Sequence, residues 1–194
     1  MSYGSRSRGG SRSSAGGLAA AVAAALLAAY VTGHSGTSGG GADASLAGGQ
    51  SAAAVVTEAV AYARQQLGKP YVWGGPTLAG TGYGFDCSGL VMEAYQAGGL
   101  RIKRTSQQQW ASEPHIAASQ VKAGDLVFFT GVLEPGEKPP GHVGLVVNPA
   151  KHLMIDAYAA GFPVRYDTYG LPGSAEGLGD PLGFTDPAAA IRGP

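Results

Sequence analysis

The hydrophobic positions in residues 53–100 recur at the spacing of helices. The first apolar face contains side chains three or four residues apart: Val56, Val60, Ala63 and Leu67. Gly68 follows and predicts the end of this helix. A second apolar stripe begins after Asp86, a side chain suited to an N-cap, and stops at the Gly98-Gly99 pair. These patterns predict two helices joined by a glycine-rich loop over residues 71–84.

The pattern changes in the second half of the chain, where short apolar runs are separated by Gly, Pro and Asn. The runs that predict strands are residues 125–130, 142–147, 152–158 and 164–169. Helices followed by a series of strands are typical of an α+β domain with an antiparallel sheet.

The N-terminal residues have the pattern of an export segment. Three basic side chains, Arg6, Arg8 and Arg12, precede an uncharged apolar run over residues 18–31. That run is shorter than the about 20 residues that a bilayer-spanning helix needs. Residues 1–33 are therefore predicted to be a signal peptide or a membrane anchor, with a buried alanine-rich helix as the alternative. Residues 34–52 are mostly small and polar and predict a flexible linker.

Composition and charge argue against several kinds of partner. The chain has 13 basic and 13 acidic side chains, so it lacks the positive charge by which proteins attract nucleic acids. Cys87 is the only cysteine, which excludes an internal disulfide and a thiolate-rich zinc site. The glycine-rich region contains no phosphate-cradle motif. We therefore expect no cofactor, no metal and no nucleic acid.

Cys87 directly follows the predicted N-cap Asp86, so it should lie in the first turn of a helix. The partial positive charge at a helix N-terminus stabilises a thiolate, which is the nucleophile of a cysteine hydrolase. The free N–H groups of the same turn could also bind an oxyanion. A buried, inert cysteine is the alternative, because cysteine is among the residue types most often buried.

His142 is the predicted base for this thiolate, because it begins an apolar strand and an acid follows it across a turn. If strands 142–147 and 152–158 form a hairpin, residue 142 lies opposite residue 156 or 157. Asp156 could then accept a hydrogen bond from the imidazole and fix its tautomer. A shift by one residue would turn Asp156 to the other face of the sheet. A purely structural histidine is the alternative.

Five segments resemble, in order, motifs of the NlpC family of papain-like bacterial cell-wall cysteine peptidases. They span roughly residues 55–170 and read Tyr71-Val72-Trp73-Gly74-Gly75, Asp86-Cys87-Ser88-Gly89-Leu90-Val91, Arg104-Thr105-Ser106, Gly124-Asp125-Leu126-Val127-Phe128-Phe129 and His142-Val143-Gly144. The resemblance implies a papain-like α+β fold, with N-terminal helices packed on a central antiparallel sheet of about five strands. It implies a catalytic domain over residues 53–194, with Cys87 as nucleophile, His142 as base and Asp156 as the third polar residue.

The resemblance also implies a substrate: peptide bonds in peptidoglycan stem peptides, commonly those between D-glutamate and a diamino acid. The residues expected to contact substrate are Tyr71, Asp86, Ser88 and Ser106. Residues 131–141 are longer than the turn usual before the histidine and predict a lid or an altered groove wall. With the N-terminal pattern, the prediction is an exported endopeptidase, secreted or membrane-anchored, that contacts the membrane only through its N-terminal segment. The alternatives are a catalytically silent module that binds wall peptides, and acyl transfer or another amidase activity on the same fold.

Overall fold

The computed structural model describes residues 50–80, 82–131, 133, 135–171 and 178–192. The predicted export segment and most of the predicted linker lie outside these residues, so both stay predictions. The helices are α1 (Ala52–Gln65), α2 (Cys87–Ala97), α3 (Ser106–Ser112) and α4 (Ala189–Arg192). None of the described helices is both long enough and apolar enough to cross a membrane.

Helix α1 ends close to the predicted stop, and α2 begins and ends at its predicted signals. Ser51 caps α1 by accepting a hydrogen bond from the N–H of Ala54 at 3.2 Å, and α1 ends before Gly68. Its buried face is rotated slightly from the predicted one and includes Val55 and Ala59. Asp86 caps α2, and Gly98 closes it.

The region predicted as a glycine-rich loop contains a small hairpin instead. Its two antiparallel strands are β1 (Pro76–Ala79) and β2 (Gly82–Phe85). The loop prediction was wrong because the alternation of apolar and polar side chains that identifies a strand is missing from a run of glycines. The hairpin is held by long-range contacts: Phe85 is fully buried, and its carbonyl accepts the N–H of Val72 at 2.8 Å.

The main sheet contains six strands, all of them paired antiparallel, in the order β3-β8-β4-β5-β6-β7. The strands are β3 (His115–Ile116), β4 (Leu126–Phe129), β5 (His142–Asn148), β6 (Leu153–Asp156), β7 (Arg165–Thr168) and β8 (Gly183–Thr185). Strands β4 to β7 correspond to the four predicted runs. The sheet exceeds the predicted five strands because β3 and β8 are too short to show an alternating pattern.

Both faces of the sheet are buried. On one face, α1 and α2 pack against strand side chains that include Phe128, Leu145 and Ile155. On the other, Phe129 and Met154 belong to a second apolar cluster. Each fully buried large apolar side chain stabilises the fold by about 1.5–3 kcal/mol. The packed sheet therefore gives rigid support to the side chains at the ends of its strands.

Candidate active site

Cys87 is the first residue of α2 and is partly buried. The capping residue Asp86 accepts the N–H of Gly89 through its side chain at 2.7 Å and the N–H of Leu90 through its carbonyl at 3.0 Å. The N–H groups of Cys87 and Ser88 precede these, and helix geometry gives them no intrahelical acceptor. The thiol therefore lies beside two N–H donors and the positive end of a helix.

Two glycines bring the loop before the hairpin against the start of α2. A Cβ atom on Gly89 would lie 2.1 Å from the carbonyl oxygen of Gly75, and a Cβ atom on Gly75 would lie 2.6 Å from the carbonyl oxygen of Gly84. Only residues without a side chain permit these approaches. Tyr71, which precedes this loop, lines the same groove as Cys87.

The imidazole of His142 is hydrogen-bonded to Asp156, as predicted. The distance from Nε2 to Oδ2 is 2.8 Å, and the residues are 3% and 0% exposed. Since Nε2 is occupied by Asp156, Nδ1 is the ring nitrogen left for Cys87, which lines the same groove.

The predicted hairpin register was wrong, although the predicted pair is present. Leu145 lies opposite Ile155, and a bulge lies between Val146 and Asn148. This register puts Asp156 opposite Gly144 and diagonal to His142. Residues two apart share a face of the sheet, so the shift keeps both side chains on one face, and Gly144 has no side chain to separate them. The bulge adds a residue that a simple hairpin count omits.

The environment of His142 favours the imidazolium. Burial by itself lowers the pKa of the imidazole. The charge of the Cys87 thiolate and the hydrogen bonds to Asp156 and Cys87 outweigh burial and raise that pKa from 6.5 to about 10. The imidazole of His142 therefore carries a proton that it can donate.

Tyr71, Asp86, Ser88 and Ser106 all line the same groove as Cys87 and His142. Burial, with the nearby charges of Cys87 and Asp86, raises the pKa of the Tyr71 hydroxyl to about 12, so this hydroxyl stays protonated as a donor. Ser106 donates a hydrogen bond to the carbonyl of Pro140 at 2.9 Å. Their contacts to substrate stay predictions.

Arg104 belongs to one of the five matching segments but was not predicted as a site residue. In the structure it lies in the groove wall. Its guanidinium forms an ion pair with Asp86 at 2.6 Å and donates to the hydroxyl of Ser88 at 3.0 Å and to the carbonyl of Gly75. Asp86 is thus held both by N–H groups at the start of α2 and by the guanidinium of Arg104. The position of Arg104, two residues before Ser106 in a matched motif, was the signal that could have identified it.

The groove has a volume of about 800 Å³, and three residues of the long segment 131–141 line it: Gly131, Glu137 and Gly141. Trp73 stands on the rim and is 74% exposed. Tyr158, which no sequence motif identified, packs its ring edge-on against His142 with 6.1 Å between centroids. Within the described part of the chain, no group of three or more His, Cys, Asp or Glu side chains could hold a metal ion.

The sequence matches the family model described as the NlpC/P60 family over residues 68–169, which is more than half of the chain. It is 41% identical over 93 residues to the bifunctional muramidase/DL-endopeptidase CwlT of Bacillus subtilis. That alignment covers 48% of this chain and 26% of CwlT, so the chain spans about a quarter of the length of this curated relative.

Two solved structures from Mycobacterium tuberculosis share the fold. The peptidoglycan hydrolase RipB superposes with a TM-score of 0.54 and 29% identity, over 70% of this chain and 65% of RipB. RipD, a non-catalytic NlpC/p60 domain protein adapted to peptidoglycan binding, gives a TM-score of 0.51 and 26% identity, over 68% of this chain and 96% of RipD. These similarities confirm the predicted α+β, papain-like fold.

Proposed function

Because the chain belongs to the NlpC/P60 family, we propose that it is a cysteine endopeptidase that hydrolyses peptide bonds in peptidoglycan stem peptides. One observation carries the proposal. Cys87 and His142 line a single groove. Asp156 is hydrogen-bonded to Nε2 of His142, which leaves Nδ1 for Cys87.

In the proposed reaction, the Cys87 thiolate attacks the carbonyl carbon of the scissile bond, and the carbonyl electrons move to oxygen. The N–H groups of Cys87 and Ser88 bind this oxyanion. Nδ1 of His142 gives its proton to the leaving amine, the C–N bond breaks, and a thioester remains on Cys87. A water molecule then attacks the thioester, with His142 as the base, and the thiolate is released with the acid product.

The proposed bond lies between D-glutamate and the diamino acid of the stem peptide. Support comes from the Bacillus subtilis relative, which is named a DL-endopeptidase. The groove of about 800 Å³ is large enough for several residues of an extended peptide.

The second candidate is a wall-peptide binding module without catalysis, which RipD exemplifies in the same fold. A thiol and an imidazole in one groove, with a carboxylate hydrogen-bonded to the imidazole, favour catalysis. Digestion of purified peptidoglycan, with mass spectrometry of the released peptides, separates the two. We expect new amino and carboxyl termini at one kind of bond, whereas binding without new termini at any enzyme concentration would support the module. A product joined to an added amine would indicate acyl transfer.

Export through residues 1–33 is a separate part of the proposal. Its support is the order of charges, with Arg6, Arg8 and Arg12 ahead of an apolar run. A reporter that is active only outside the cytoplasm, fused after residue 50, should be active in bacterial cells. Activity from a cytoplasm-dependent reporter alone would contradict export.

A further inference from the structure

Two buried polar atoms near the site have no hydrogen-bond partner among the described residues, and they are complementary. One is Oδ1 of Asp156, an acceptor, and the other is Nε of Arg165, a donor. Asp156 and Arg165 lie directly opposite each other on β6 and β7. Directly paired residues project to the same face of a sheet, with Cβ atoms about 5 Å apart. No hydrogen bond joins these two atoms, and a water molecule between them could accept from Nε–H and donate to Oδ1.

Other contacts keep the Arg165 side chain in place. Its Nη2 donates to Asp167 at 2.8 Å. Its guanidinium carbon lies 5.1 Å from the ring centroid of Tyr158 and 4.9 Å from that of Phe162. Tyr158 is the ring that packs against His142. Arg165 therefore contacts the groove wall through Tyr158 and is the sheet neighbour of Asp156.

An unpaired oxygen on a buried carboxylate is costly, and it leaves the carboxylate free to rotate. Asp156 accepts from His142 through Oδ2 alone. If Oδ1 is not held, rotation about the Cβ–Cγ bond breaks the contact with Nε2. A second hydrogen bond, from the opposite side, would stop that rotation.

We propose that Arg165 is a positioning residue for the catalytic acid: its Nε–H holds Oδ1 of Asp156 through one bridging water molecule. Arg165 touches neither substrate nor the reacting atoms, and it acts by keeping Oδ2 on His142. The kinetic consequences of this inference rest on the proposed peptidase function, but the hydrogen bond itself does not.

The test compares Arg165→Lys with Asp167→Asn. Lysine keeps the positive charge and the alkyl chain but has no N–H at the ε position of the guanidinium. We expect Arg165→Lys to lower kcat about tenfold with KM nearly unchanged, because a hydrogen bond to a charged group is lost at the chemical step. Asp167→Asn removes the charge beside Nη2 but keeps an amide oxygen that can accept from it, so Arg165 should stay in place and kcat should remain within about twofold of wild type.

Two further readouts separate positioning from general damage to the sheet. In an Asp156→Asn background, Arg165→Lys should have little additional effect on kcat, because the two residues act as one unit. NMR titration of the His142 imidazole, without substrate, should show a lower pKa in Arg165→Lys than in wild type. Additive losses in the double variant, or an unchanged imidazole titration, would overturn the proposal. If wild type does not turn over peptides but the titration shifts, the proposed function fails and the positioning role stands.

Discussion

At the scale of single residues, two neighbouring side chains, first Cys87 and then Asp156, raise the pKa of the His142 imidazole. Part of the rise in the pKa of the imidazole, to about 10, comes from the hydrogen bond with Asp156 and the charge of that carboxylate. Since the folded-state pKa is raised, stability from the imidazolium is fully present below about pH 6.5 and is lost as pH rises through about 10. The loss of activity at high pH should likewise follow deprotonation of the His142 imidazolium.

Asp156→Asn should therefore lower kcat and move the basic limb of kcat/KM to lower pH. Asparagine has nearly the same shape but cannot supply the charge that stabilises the imidazolium. Asp156→His should retain more activity than Asp156→Ala, because an imidazole can still accept a hydrogen bond from His142. The measurement is a pH–rate profile of each variant. A kcat for Asp156→Ala within about twofold of wild type would remove Asp156 from the mechanism and leave Cys87 and His142 as a pair.

The residues of this site were largely predictable from the sequence, and their spatial relation was less so. The aspartate at position 86 indicated an N-cap and therefore placed Cys87 in the first turn of a helix. This could be predicted because capping depends on local geometry. The register of the strand pair was not predictable, because the bulge between Val146 and Asn148 leaves no compositional sign. Arg165 was missed for a related reason: its pairing with Asp156 depends on two strands that meet only in the folded sheet.

At the scale of elements, the start of α2 depends on Gly89. Any side chain there must displace the carbonyl of Gly75, which would lie 2.1 Å from an added Cβ atom. Gly89→Ala should therefore destabilise the protein by roughly 1–3 kcal/mol, despite the higher helix propensity of alanine. Gly80→Ala is the matched control, because a Cβ atom there meets nothing within 4 Å. Urea unfolding of both variants checks this, and equal stability would contradict the close approach.

The hairpin of β1 and β2 shows why elements built by tertiary contacts escape prediction. Its strands contain glycines where a strand pattern needs alternating side chains, and Gly84 is required because an added Cβ atom would lie 2.4 Å from the carbonyl of Pro70. Helices α1 and α2 were predicted well because apolar spacing, the glycines that follow each helix and the cap of α2 are local signals.

At the scale of the whole molecule, the described core begins at α1. Val55, Ala59 and Ala63 pack in the main cluster with the sheet, and Ser51 caps the helix. A chain that starts at Gln50 should therefore fold and retain the activity of the full chain. Its urea midpoint and turnover, measured beside those of the full chain, check this. A start at Val60 is the informative control, since it removes most of the buried face of α1 and should fail to fold.

The proposed peptidase reaction passes through a covalent intermediate at Cys87, and trapping that intermediate tests it most directly. The purified chain is mixed with a defined stem peptide and quenched in acid during turnover, and the protein is then analysed by intact and peptide-level mass spectrometry. We expect an acyl group on the peptide that contains Cys87, together with released amine product. Both should be absent in Cys87→Ala, and that variant should keep the wild-type urea midpoint because Cys87 is only partly buried. Product release by Cys87→Ala at the wild-type rate would show that Cys87 is not the nucleophile.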